Sequence, residues 1–214
     1  MPTVSDQGEP DPEIARAFSR IYATGSWKTA ENQESASGRG STLVRTAVVR
    51  RELPSRLERL GVRFLLDAGC GDFNWLRAVD LPLDSYVGVD VVPELIAANQ
   101  ARYGNDQRRF EVLDVASQRL PRTDAILCRE CLVHLSFEHA LTAIRNFGRS
   151  GSRLLIATTH SVDENQDIVS GEWRFLNLLL PPFGLPEPEE RIVEDAELGK
   201  SLGIWRIDSL PTRR

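Results

Sequence analysis

Five short apolar runs alternating with helical stretches predict a doubly wound α/β sheet for this 214-residue chain, and three of those runs close on an aspartate. Two later runs joined by a polar turn predict a mostly parallel sheet of seven strands, finished by a C-terminal antiparallel hairpin. Amphipathic stretches ahead of the first run predict an N-terminal helical cap. Composition agrees, because 41% apolar and 27% charged residues are what a globular domain of ordinary type needs.

Each element has a local reason. Residues 1–12 have neither a basic start nor an apolar stretch, so a loose tail is expected, with no secretory or transit signal. Ile14, Phe18, Ile21 and Tyr22 then recur at helical spacing. A polar loop from Gly25 to Ser41 follows, containing Trp27 and a run of small hydrogen-bonding residues from Ser35 to Ser41. Leu43, Val44, Ala47 and Val48 predict a second helix, and Pro54 predicts the start of another short one. The runs Arg63 to Asp67, Tyr86 to Asp90, Phe110 to Asp114, Asp124 to Cys128 and Arg153 to Thr158 read as buried parallel strands. Pro93 suits a first helical position ahead of Leu95, Ile96 and Ala97. Ser136 suits the cap of a helix whose inner face is Ala140, Leu141, Ile144 and Phe147. Arg191 to Glu194 and Leu202 to Ile207 supply the hairpin. The expected organisation is a tail over 1–12, a helical cap over 13–60, and the sheet domain over 61–210 with a lid loop over 160–188.

Composition limits the function. There are 26 basic and 31 acidic residues, a net charge of −5, which argues against binding nucleic acid through its phosphates. No apolar window is long enough for a bilayer span, so no membrane partner is expected. Three cysteines are too few and too odd in number for a disulfide framework, which fits a reducing cytoplasm. No oligomeric state follows from these numbers.

In an open α/β sheet, ligands bind beyond the carboxyl ends of the strands where strand order reverses. The first acid, Asp67, leads into Ala68, Gly69, Cys70 and Gly71, a turn whose missing side chains admit a ligand to the backbone. A dinucleotide fingerprint requires a third glycine where Asn74 stands, and Asp72 in the turn would repel pyrophosphate; both disfavour a nicotinamide-dependent oxidoreductase. Asp90 is placed to accept hydrogen bonds from ribose hydroxyls, and Asp114, one strand further out, lies toward a base edge. Three acids without a basic cradle suit a cationic, phosphate-free nucleoside, S-adenosyl-L-methionine.

Asp67 to Gly71, Val87 to Asp90, Leu113 to Val115 and Asp124 to Cys128 together resemble the successive motifs of class I S-adenosylmethionine-dependent methyltransferases, over residues 62–158. The segment Arg129 to Leu135 resembles the small-molecule branch, and the Asn-Pro-Pro-Tyr type of sequence of nucleic-acid amino-methylating enzymes is missing there. The resemblance implies a cofactor site built from Asp67, Ala68, Gly69, Cys70, Gly71, Asn74, Trp75, Asp90, Val91, Asp114, Val115 and Arg129. It implies a small-molecule acceptor presenting an O or N nucleophile.

His134, Glu130 and His160 are the candidate catalytic groups; each has an ordinary structural role as an alternative. Trp27, Ser37, Arg39, Trp173, Arg174 and Asn177 are the candidate acceptor contacts, offering planar walls and directional polar groups. Cys128, Cys131 and His134 have ligand-like spacing, but Cys128 closes a buried strand and no fourth ligand is evident, so no metal is expected. A non-catalytic adenosyl-ligand module stays open as an alternative.

Overall fold

A computed structural model describes residues 9–30 and 32–211. The tail expected over 1–12 falls mostly outside these residues. Its last two residues belong to the fold: the Asp11 carboxylate accepts the amides of Glu13 and Ile14, and Pro12 opens helix α1 (Pro12–Thr24), which Gly25 closes at φ 64°.

Helix α2 (Ala47–Arg59) runs through Pro54, so the two helices expected there are one. An internal proline costs roughly 3 kcal/mol. Val49, Leu53 and Leu57, spaced four apart, are wholly buried on one stripe, and at about 1.5–3 kcal/mol each they outweigh it. Leu43 and Val44 precede the helix in a turn, with Val44 in solvent.

The seven strands are β1 (Phe64–Ala68), β2 (Ser85–Asp90), β3 (Arg108–Val112), β4 (Ala125–Cys128), β5 (Leu154–His160), β6 (Glu190–Asp195) and β7 (Lys200–Arg206). They lie in the order β3-β2-β1-β4-β5-β7-β6, the first five parallel and β7 antiparallel to both β5 and β6. Helices α3 (Pro93–Tyr103) and α4 (Phe137–Arg149) complete the layers, the Ser136 hydroxyl capping α4 at His139 N–H. Strand alternation sorts the core into two faces. Leu66, Val87, Val89, Ile126 and Leu155 pack with α4 and Ile14, whereas Leu65, Tyr86, Leu127 and Ile156 pack with α2 and Ile96.

From β1 the chain moves outward to β3 and returns to β4 on the opposite side, so the strand order reverses between β1 and β4. After β1 there is no α-helix, only a 3-10 turn at Leu76–Ala78. The segment from 161 to 189 is not a free lid. Its residues Leu176, Leu178, Phe183 and Leu185 are buried in the core. Backbone bonds from His160 N–H to Leu176 O and a Leu178 N–H bond to Thr159 Oγ1 tie it to the end of β5.

Candidate active site

A cavity opens at the β1/β4 switch, and its charged lining is Asp67, Asp90, Asp114 and Glu130 against Arg129. Asp67 sits on β1 opposite Gly88. Tyr86 reaches across Gly88, where a Cβ would lie 3.0 Å from the phenol oxygen, and donates to Asp67 Oδ2 at 2.6 Å. Burial raises the Asp67 pKa to about 7, with Tyr86 pulling it back. Asp90 accepts amides from Gly71 and Val92, each at 3.2 Å. Burial still lifts its pKa to about 6 against those bonds.

The glycine turn is shaped by its neighbours. Gly69 (φ 78°) lies so close to Cys131 that a Cβ would meet its sulfur at 2.8 Å; a Cβ on Gly71 (φ 56°) would meet Ser37 Oγ at 2.3 Å. Ser37 thus seats the N-terminal loop on the turn, with its hydroxyl 2.7 Å from Tyr22 Oη and accepting from Asp72 N–H at 2.8 Å. Asp72 points away from the cavity, accepting Ser35 Oγ and Ala36 N–H, so it anchors the loop.

At the outer end Asp114 accepts Ala116 N–H, Ser117 Oγ and the backbone N–H of Asp11. Three of about four acceptor positions of a carboxylate are filled within the protein. Ile14 and Phe18 of α1, with Leu113, Val91 and Val115, make the apolar walls there.

The chain after β4 carries the densest chemistry. Arg129 donates to Glu194, its Nη2 2.6 Å from Oε2, with side-chain exposures of 2% and 1%; it also donates to Gly40 O and lies over the Trp75 ring. Glu130 follows at φ 54°, an uncommon conformation for a side-chain-bearing residue, and its N–H donates to Thr158 Oγ1. Lys200 Nζ lies 2.8 Å from Glu130 Oε1. Burial pushes the Glu130 pKa up, yet Lys200 and Arg129 outweigh it and hold it at about 2.

His134 Nδ1 lies 2.8 Å from the carbonyl oxygen of Glu172, which only accepts, so Nδ1 carries the hydrogen and Nε2 keeps its lone pair. The Trp27 ring covers the imidazole at 4.6 Å between centroids. Burial lowers the His134 pKa, so the ring is neutral near pH 7. A second cavity begins here: Trp27, Ser37, Glu130 and His134 line both. It extends past Arg39, Arg45, His160, Trp173, Phe175, Glu194, Asp195 and Lys200.

Comparison with known proteins fits this geometry. Residues 66–156 match the family described as a methyltransferase domain. The match spans less than half of the chain and is consistent with the class I S-adenosylmethionine-dependent methyltransferases. No curated protein sequence matches the chain. Among solved structures, the putative methyltransferase complexed with the Haloferax volcanii Trm112 methyltransferase activator is similar at TM-score 0.59 and 14% identity, over 89% of this chain and 96% of that one. TnmH is similar at TM-score 0.56 and 18% identity over 75% of this chain, which spans only 54% of TnmH. The [4+2]-cyclase SpnF is similar at TM-score 0.53 and 20% identity, over 79% of this chain and 70% of SpnF. At these identities the likeness is one of fold.

S-adenosylmethionine is the cofactor this likeness points to, and the first cavity fits it. Asp67, Asp90 and Asp114 face the space while Glu130 is spent on Lys200 and the guanidinium of Arg129 on Glu194, so a cation without phosphates is matched and a pyrophosphate is not. Of the residues expected to hold the cofactor, Asp67, Gly69, Cys70, Gly71, Trp75, Asp90, Val91, Asp114, Val115 and Arg129 line the cavity.

Two do not. Ala68 is buried inside the sheet, and Asn74 turns its amide to Ser41 O while its oxygen accepts from Arg77. Among the expected acceptor contacts, Trp27, Ser37, Arg39 and Trp173 line the second cavity. Arg174 does not; it is buried over the Phe137 ring and donates to Leu135 O. Asn177 spends its side chain on Val162 O and Leu179 N–H. Two candidate bases are also corrected. Glu130 is ion-paired and too weakly basic. His160 accepts the Leu176 N–H at Nδ1, which puts its hydrogen on Nε2 and leaves no free lone pair.

Sequence reasoning missed Ile14, Phe18 and Tyr22, whose helical spacing shows a buried face without showing what it covers. It also missed Phe175, Glu194 and Lys200, which line the second cavity from strands and a loop distant in sequence, and Tyr86, which holds Asp67 from behind. Cys131 keeps its thiol: its pKa is raised by its hydrogen bond with Cys128 and by burial. No metal-holding cluster occurs among the described residues.

Proposed function

We propose that this enzyme methylates an O or N nucleophile of a small metabolite, such as a sugar, an amino acid or a natural product, with His134 as general base. The observation that carries this reading is the common wall of the two cavities, where His134 stands with its Nε2 unprotonated. When bound, the cofactor supplies an activated methyl group on sulfur. The protein's own part is then placement and proton removal. Asp67 and Asp90 hold the cofactor's polar groups, and Ile14 and Phe18 cover its apolar side. Trp27 and the Glu172 carbonyl fix the His134 ring, so that Nε2 takes the acceptor's proton as the new bond forms. Ser37 and the loop around it keep water from the junction, which strengthens every charge interaction there.

An excess of acidic residues supports a small acceptor over a nucleic acid. No helix among the described residues is long and apolar enough to cross a membrane. Three free thiols support a cytoplasmic location.

Two measurements test the reading. Calorimetry with S-adenosylmethionine is expected to show binding, and labelled methyl from it is expected to enter a metabolite extract. Folded protein that binds nothing at millimolar cofactor refutes the site. Tight binding without transfer to any extract favours a ligand-binding module or another reaction, in keeping with the cyclase SpnF on a similar fold.

A further inference from the structure

The second cavity is lined or bordered by Arg39, Arg45, Arg129 and Lys200 against Glu130, Glu194 and Asp195. Arg45 pairs with Asp195 at 3.2 Å, Arg129 with Glu194 at 2.6 Å, and Lys200 with Glu130 at 2.8 Å. Every carboxylate is thereby matched. One cation is left over: among the described residues the exposed Arg39 guanidinium has no hydrogen bond and no ion pair. His134 and His160 add no charge near pH 7, since burial lowers both pKa values.

Arg39 is also held in place. It lies between Gly38 (φ 85°), whose Cβ position is 3.4 Å from Trp27 Cβ, and Gly40, whose Cβ position is 3.1 Å from Glu130 Oε2. Arg129 anchors the same turn by donating to Gly40 O at 2.9 Å. The guanidinium is therefore presented from a pinned turn at the rim of the cavity.

A second, independent observation concerns the opposite wall. Trp173 and Phe175 are 47% and 38% exposed, and both face this cavity, their rings 4.7 Å apart. Exposed aromatic surface of that kind, concentrated in a cleft, is a ligand contact more often than a core defect. Trp27 adds a third ring at the junction with the cofactor.

We propose that the acceptor is an aromatic monoanion, a hydroxylated arene carboxylate by class, with its ring among Trp27, Trp173 and Phe175 and its carboxylate on Arg39. The inference rests on the methyl-transfer reading and narrows it. One surplus cation matches one negative charge; a phosphate carries about −1.5 to −2 and would be left undercompensated. The planar fork of arginine suits a carboxylate in two-point contact.

The test uses full-length protein saturated with S-adenosylhomocysteine, titrated calorimetrically with matched pairs: 4-hydroxybenzoate against 4-hydroxybenzamide, and 6-hydroxy-2-naphthoate against its amide. Each acid is expected to bind about tenfold or more tightly than its amide, the amount a charge-assisted pair supplies. Arg39→Gln is expected to abolish that preference, and Arg39→Lys to keep much of it. The wild-type comparison decides the matter even if a variant fails to fold. Equal affinity of acid and amide overturns the proposal, as does failure of every acid to bind at millimolar concentration, and in both cases S-adenosylhomocysteine binding leaves the methyl-transfer reading standing. Failure of S-adenosylhomocysteine itself to bind overturns that reading, and this one with it.

Discussion

Replacing Asp67 with asparagine is expected to stabilise the ligand-free protein at alkaline pH and to weaken its hold on the cofactor. Asp67 is buried beside Tyr86, and burial raises its pKa from 3.8 to about 7. That displacement is worth about 4 kcal/mol. Because the folded state holds the proton more tightly than the unfolded chain, the group's contribution is fully present below pH 3.8 and is lost as pH rises through about 7. Asparagine keeps an oxygen for the Tyr86 phenol but cannot ionise. The pH-dependent gain of the variant should therefore be near zero at about pH 4 and grow to roughly 2–4 kcal/mol by about pH 8. Urea unfolding of both proteins without ligand, across that range, measures it. A gain that does not change with pH, or a loss at alkaline pH, refutes the assignment of burial as the cause. Calorimetry on the same variant should show S-adenosylmethionine binding weakened by about tenfold or more, since a buried carboxylate facing a cation has been removed.

Other perturbations follow from the same geometry. His134→Asn should retain a donor toward Glu172 O while lowering kcat by about 10²–10⁴, read from steady-state rates once an acceptor is in hand. In the wild type, kcat/KM should rise with pH along a limb lying below the ordinary imidazole value of 6.5, because burial favours the neutral ring, and this limb should vanish in the variant. Glu194→Ala strands the Arg129 guanidinium in the interior and should cost about 3–5 kcal/mol in urea unfolding; a loss under about 1 kcal/mol would show that water reaches the pair. Gly71→Ala places a Cβ against Ser37 Oγ at a positive φ, so the loop should lift from the turn and S-adenosylmethionine affinity should fall. Unaltered affinity would mean that the Ser37 contact plays no part in closing the cavity.

The order of apolar runs and the acids at their ends determine the sheet, its C-terminal hairpin and most of the residues that line the first cavity, because these depend on local periodicity and on strand ends that converge at a switch point. Asn74 and Asp72 could not be read in the same way. A polar side chain next to a glycine turn has several partners within reach, and only the folded loop from Ser35 to Ser41 decided that both serve as its anchors. The helix through Pro54 belongs to the same class, since propensity stops it and burial of Leu53 and Leu57 carries it on. The roles of His134, Glu130 and His160 were tertiary decisions throughout. Each depends on one distant partner, the Glu172 carbonyl, the Lys200 ammonium or the Leu176 amide, that sets which atom holds the proton. A sequence records which groups are available; their charge and tautomer depend on burial and on neighbours tens of residues away, which only the packed chain supplies.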